Sequence, residues 1–107
     1  MQTFIALLNF TEHGSKHVKK TTARADAFRE MAERSGVKII HTFWMNGPYD
    51  IVHILEVEDD NAAMVHSLSL QSLGNVKTQT FRAYSKEEMN EILGQSFNAF
   101  DLLRAGE

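Results

Sequence analysis

Apolar residues recur along this chain with two periods. Phe4-Ile5-Ala6-Leu7-Leu8, Val37 to Trp44, Ile51-Val52-His53-Ile54-Leu55 and Val76 to Tyr84 are short β-rich runs. They predict strands over 4–10, 37–44, 50–57 and 76–84. The segment from Thr11 to Ser35 is helical in character, with an interruption near Lys20-Thr21-Thr22. Thr22 is the expected cap of its second piece, which puts Ala25, Phe28, Met31 and Ala32 on one face. Gly36 is the expected stop. Asp59-Asp60-Asn61 offers caps for a helix from about Ala62 to Leu73, ended by Gly74-Asn75. Ser85-Lys86-Glu87-Glu88 has the form of a capping box. It opens a last helix with Met89, Ile92, Leu93, Phe97, Phe100 and Leu103 along one stripe.

The order is β-α-β-β-α-β plus a C-terminal helix. This predicts an α+β fold, a ferredoxin-like antiparallel four-stranded sheet with helices on one face. With 107 residues the chain is one domain. Residues 1–84 form the ferredoxin-like unit, and 85–107 are a helical extension of the same domain.

The strands are apolar on both sides. Phe4, Ala6 and Leu8 alternate with Ile5 and Leu7. Val52 and Ile54 alternate with Ile51, His53 and Leu55, and Ile39 and Phe43 with Ile40 and Trp44. A sheet face meeting water would be polar, so something must cover the second one. The expected cover is the same sheet of a second copy, with the C-terminal helix adding to the interface. The alternative is that helix folded back over a sheet.

Trp44-Met45-Asn46-Gly47-Pro48-Tyr49-Asp50 joins two of these strands as a hairpin. Gly47 is expected to supply a special backbone angle, and Pro48 to stiffen the turn. Tyr49 and Asp50 have two readings. They pack and bond within the turn, or they orient a ligand or move a proton at a pocket mouth. If Trp44 pairs with Asp50, His41 lies opposite His53, and two imidazoles share one face. Such a pair could act as acid and base, or as a weak metal site that lacks a third ligand. Trp44 is a candidate ligand wall, and Asn9 ends strand one beside the same cleft. His66, on the helix after Asp60, is expected at the core edge or in an interface. His13 and His17 share a helix face, but Lys16, Lys19 and Lys20 around them repel a cation. With Arg24, those lysines form a patch suited to an anion.

The formal charge of −3 argues against a general nucleic-acid or anionic-membrane binder. The absence of cysteine excludes disulfides and thiolate chemistry. No Gly-rich phosphate loop or nucleophile elbow is present. The opening apolar run is too short for a signal sequence or a membrane span, so cytoplasmic residence is the default expectation.

Phe4 to Thr11, Arg24 to Phe28, Gly47-Pro48-Tyr49-Asp50 and Leu73 to Thr80 together resemble the GYD-domain family. The resemblance covers about residues 3 to 84. It implies membership of the dimeric α/β-barrel superfamily, in which two ferredoxin-like units stack their sheets, and it maps the namesake residues to Gly47, Tyr49 and Asp50. Related barrel families include monooxygenases, isomerases and ligand-sensing modules, among which fold alone does not choose.

The expected function is a homo-oligomeric domain that binds a small molecule in a cleft of the barrel, with the cofactor unknown. The ligand-binding candidates are Asn9, His41, Trp44, Gly47, Tyr49, Asp50 and His53. The catalytic candidates are Tyr49, Asp50 and His53, with His41 and His53 as weak metal candidates. The alternatives are a small cofactor-poor enzyme, isomerase- or monooxygenase-like, and an oligomeric interaction protein. The expected partners are a second copy of the chain and a small-molecule ligand, not nucleic acid or membrane.

Overall fold

The computed structural model describes residues 1–106. Its elements are β1 (Gln2–Phe10), α1 (Glu12–Lys16), a 3₁₀ turn (Val18–Lys20), α2 (Thr21–Arg34), β2 (Val37–Trp44), β3 (Ile51–Val57), α3 (Asp60–Ser72), β4 (Val76–Ala83), α4 (Lys86–Gln95) and α5 (Ala99–Ala105). The sheet order is β2-β3-β1-β4, and all neighbours are antiparallel. This is the ferredoxin-like βαββαβ arrangement in an α+β chain. Among the described residues, no helix is long and apolar enough to cross a membrane.

Local chemistry sets most boundaries. Asp59 accepts from the Ala62 amide and starts α3. Ser85 and Glu88 form the reciprocal capping box that starts α4. Gly36 and Gly74 take φ of 81° and 78°, the left-handed stop that follows a helix. Thr22 does not cap α2. The cap position is Lys20, without a side-chain bond, because the 3₁₀ turn runs straight into the helix. Gly47 does not supply the special angle expected of it, since among the described residues only Gly36 and Gly74 have a positive φ.

The core lies between the sheet and the helices α2 and α3. Phe4, Ala6 and Leu8 of β1, Val37 and Ile39 of β2, and Ile51, Leu55 and Val57 of β3 are buried there. Phe28 and Ala32 meet them from α2, and Ala63 and Leu70 from α3. Ser67 of α3 and Thr80 of β4 share a hydrogen bond of 2.8 Å.

The other sheet face is open. Ile5 pairs with Ile54 and Phe81, and Leu7 with Val52. Phe43 also faces Val52, and it is 54% exposed, while Phe81 is 51% exposed. The two-sided apolar pattern is therefore real, and nothing among the described residues covers its second side.

The last helix is two helices. Ser96 ends α4 in extended backbone, and Asn98 caps α5 by accepting from the Phe100 amide. Ser and Asn compete for backbone partners, which breaks the apolar stripe into two pieces. Neither piece buries a residue. The arm makes the molecule 64 × 29 × 21 Å, with a radius of gyration of 18.2 Å. A compact chain of this length has a radius of about 13 Å. Arg82 fixes the departure of the arm, for its guanidinium pairs with Glu88 and lies 4.4 Å from the Tyr84 ring centroid. That hydrogen-bonded ion pair, more than any other influence, holds the Glu88 carboxyl below the usual carboxylate range.

Candidate functional site

The hairpin turn is fastened to the end of β1. The Asp50 carboxylate accepts from the Phe10 amide at 2.8 Å, and the Asp50 amide donates to the Leu8 carbonyl at 2.8 Å. The Asn9 side chain donates to the Pro48 carbonyl at 2.7 Å. Tyr49 donates to Gln79 Oε1 at 3.1 Å. Asp50 and Asn9 thus hold backbone, and Tyr49 bonds to a residue that pairs with Leu7 on the open face.

The pairing of His41 with His53 does not occur. Trp44 pairs with Ile51 instead of Asp50, so His41 meets Ile54, and a bulge between Ile39 and His41 returns Val37 to Ile39 to the expected register. One residue of slip sends a side chain to the opposite face. His41 stays exposed, 5.7 Å from the Phe43 ring by centroid, while His53 turns into the core.

The partner of His53 is His66. His53 Nδ1 lies 3.1 Å from His66 Nε2, and the residues are 4% and 1% exposed. Phe28 stacks on His53 at 6.3 Å and meets His66 edge-on at 5.5 Å. Burial first, and then the Arg29 charge, lower the His53 pKa from its ordinary 6.5 to about 4. Burial first, and then its neighbour His53, lower that of His66 to about 3. Both rings are neutral at pH 7. His66 Nδ1 is buried without a hydrogen-bond partner. Sequence reading assigned His66 to the core edge and missed this pair, which joins residues of a strand and a helix. A signal was present: His66 falls in the buried stripe Ala63, His66, Leu70, and His53 alternates with Ile51 and Leu55.

Two cavities flank the pair between the helices and the sheet. One, of about 50 Å³, is lined by Phe10, Thr21, Arg24, Phe28, His53 and Leu70, among others. The other, of about 270 Å³, is lined by Phe28, Met31, Arg34, Val65, His66 and Ser69, among others. Trp44 Nε1 donates to Thr21 Oγ1 at 3.0 Å, so Trp44 supports the first cavity through its Thr21 wall. Of the ligand-binding and catalytic candidates, His53 alone lines either cavity, and Arg24 of the expected anion patch lines the first. Asn9, Gly47, Tyr49 and Asp50 belong to the fastened turn, and His41 lies among the residues of the open face.

Gly14 is a structural position that the sequence did not reveal. A Cβ there would lie 2.0 Å from the Asn75 carbonyl oxygen. Thr11 clamps the same place, its amide donating to Asn75 and its hydroxyl to Gly74. The His13 and His17 rings lie 4.6 Å apart on the exposed surface. Among the described residues, no group of three His, Cys, Asp or Glu side chains could hold a metal ion.

The GYD domain model matches residues 4–93. A protein of Thermus thermophilus, named "Glutamine synthetase and cystathionine beta-lyase binding protein", is 36% identical over 84 residues. That match covers 78% of this chain and 88% of the relative. No solved structure matches the chain significantly.

Proposed function

The chain belongs to the GYD domain family, and from that premise we propose that it is a homo-oligomeric protein-binding module for metabolic enzymes. The observation that carries this reading is the relative named for binding two enzymes, which this chain matches over 88% of that protein's length. The physical support is unpartnered apolar surface. Phe43 and Phe81 are half exposed on the open sheet, and Phe97 is 77% exposed on the arm. Large exposed apolar patches mark interaction sites. The stacked-sheet dimer of the superfamily would cover Ile5, Ile54, Phe43 and Phe81 with a second copy. The arm and the outer faces of the helices then remain for other partners.

The test is size-exclusion chromatography with light scattering, alone and with purified glutamine synthetase or cystathionine β-lyase of the same source. The expected result is a dimer or a multiple of dimers that co-elutes with at least one enzyme. A monomer that leaves both elution profiles unchanged overturns the reading.

A second reading, a small molecule held between helices and sheet, is favoured by the buried His53–His66 pair between its two cavities. Perturbed titratable groups beside a cavity are typical of binding sites. Catalysis by Tyr49, Asp50 and His53 together is the weaker alternative. Tyr49 bonds toward the open face, Asp50 is spent on a backbone amide, and His53 lies on the covered face.

A further inference from the structure

We propose that the cavity bounded by Thr21, Arg24, Phe28 and His53 is a binding site for a short-chain carboxylic acid, its carboxylate facing Thr21, Arg24 and His53. The proposal rests on the second reading above and names the ligand class for that cleft.

The hydrogen-bond pattern of the histidine pair sets the chemistry. Between His53 Nδ1 and His66 Nε2 there is one proton to share, since both rings are neutral. If His53 donated it, His66 Nδ1 would carry a stranded N–H in the core. If His66 Nε2 donates it, His66 Nδ1 keeps only a bare lone pair. A buried unpaired donor is the rarer and costlier defect, so the second tautomer is favoured. It leaves His53 with its proton on Nε2. That nitrogen has no hydrogen-bond partner among the described residues, and His53 lines the cavity. The cavity is thus offered a donor, and its ligand needs an acceptor.

Two more donors line the same cavity. Thr21 Oγ1 accepts from Trp44, which leaves its own O–H free to donate. Arg24 gives one nitrogen to the His17 carbonyl and retains further N–H groups. Among the described residues, no carboxylate lines the cavity. Apart from Asn75, the rest of the wall is apolar, with Phe10, Phe28, Ile51, Leu70 and Leu73. Three donors in a cavity whose other lining is mostly apolar match a carboxylate on a short alkyl body. The volume of about 50 Å³ restricts that body to a few carbons.

The test uses three probes of one shape: butyrate, butan-1-ol and butylamine. Each is titrated into the full chain and followed by ¹H–¹⁵N NMR at Thr21, Arg24, Phe28 and His53. Affinities on the order of millimolar suit ligands of this size. Butyrate should give saturable shifts at those residues, at least tenfold tighter than butan-1-ol, with no binding of butylamine. Arg24→Gln, on a helix surface, should keep the fold and erase the gap between acid and alcohol. Equal binding of acid and alcohol overturns the carboxylate assignment and leaves an apolar cleft. Shifts with no probe overturn the cleft as a ligand site altogether, while enzyme co-elution still tests the protein-binding reading by itself.

Discussion

The two faces of the sheet are built from the same strands and have opposite fates. On one, Leu55 and its neighbours are sealed under α2 and α3 together with two histidines. On the other, Ile5, Ile54, Phe43 and Phe81 form an apolar patch with nothing of the described chain over it. Apolar pattern alone therefore does not say which surface is core. It says which surfaces need a cover, and only the covered one bears on the stability of the single chain. The open one, on the proposed function, bears on association.

The largest expected difference between the faces is in acid. His53 and His66 have folded pKa values of about 4 and about 3, below the unfolded 6.5. The unfolded chain binds protons that the folded chain refuses, so stability is full above pH 6.5 and is lost as pH falls toward 4 and 3. Between pH 7 and 4.5 the loss should be on the order of 3–5 kcal/mol, read from urea midpoints. A His53→Gln/His66→Gln variant, if it folds, should flatten that limb, whereas His41→Gln on the open face should not. Equal pH profiles for both variants would break the contrast.

Leu55→Ala comes next. It deletes methyl groups from a fully buried site and should cost about 3 kcal/mol in denaturant unfolding, whatever the oligomeric state. Asp50→Ala removes the acceptor of the Phe10 amide and loosens the turn from β1. It should cost about 1–2 kcal/mol and shift NMR signals around Pro48 and Asn9. The smallest effect on stability belongs to Phe81→Ser. It should change unfolding of the isolated chain by less than about 0.5 kcal/mol, yet shift native mass from multimer toward monomer. If Phe81→Ser unfolds the chain as Leu55→Ala does, the open face is core after all.

Much of the fold was legible along the chain. The Asp59 and Ser85 caps, the Gly36 and Gly74 stops and the four strands are local signals read within a few residues. The interruption near Lys20 was legible too, although the 3₁₀ turn that fills it was not. The single C-terminal helix was misread, since one apolar stripe spans two helices and the break depends on Ser96 and Asn98. The site was far less legible. Its best geometric feature, His53 against His66, joins residues 13 apart on different elements.

The sequence by itself determined the element order, the antiparallel α+β class and the presence of apolar side chains on both faces of the strands. Those follow from period, propensity and caps, which act over one or two turns of chain. Tertiary structure decided the rest. It paired Trp44 with Ile51, which slipped the hairpin by one residue as far as the Ile40 bulge. It fastened Asp50 and Asn9 to β1, and it set one histidine of β3 against one of α3 in the core. Register and long-range pairing depend on how the turn docks onto a distant strand, and no local period encodes that distance.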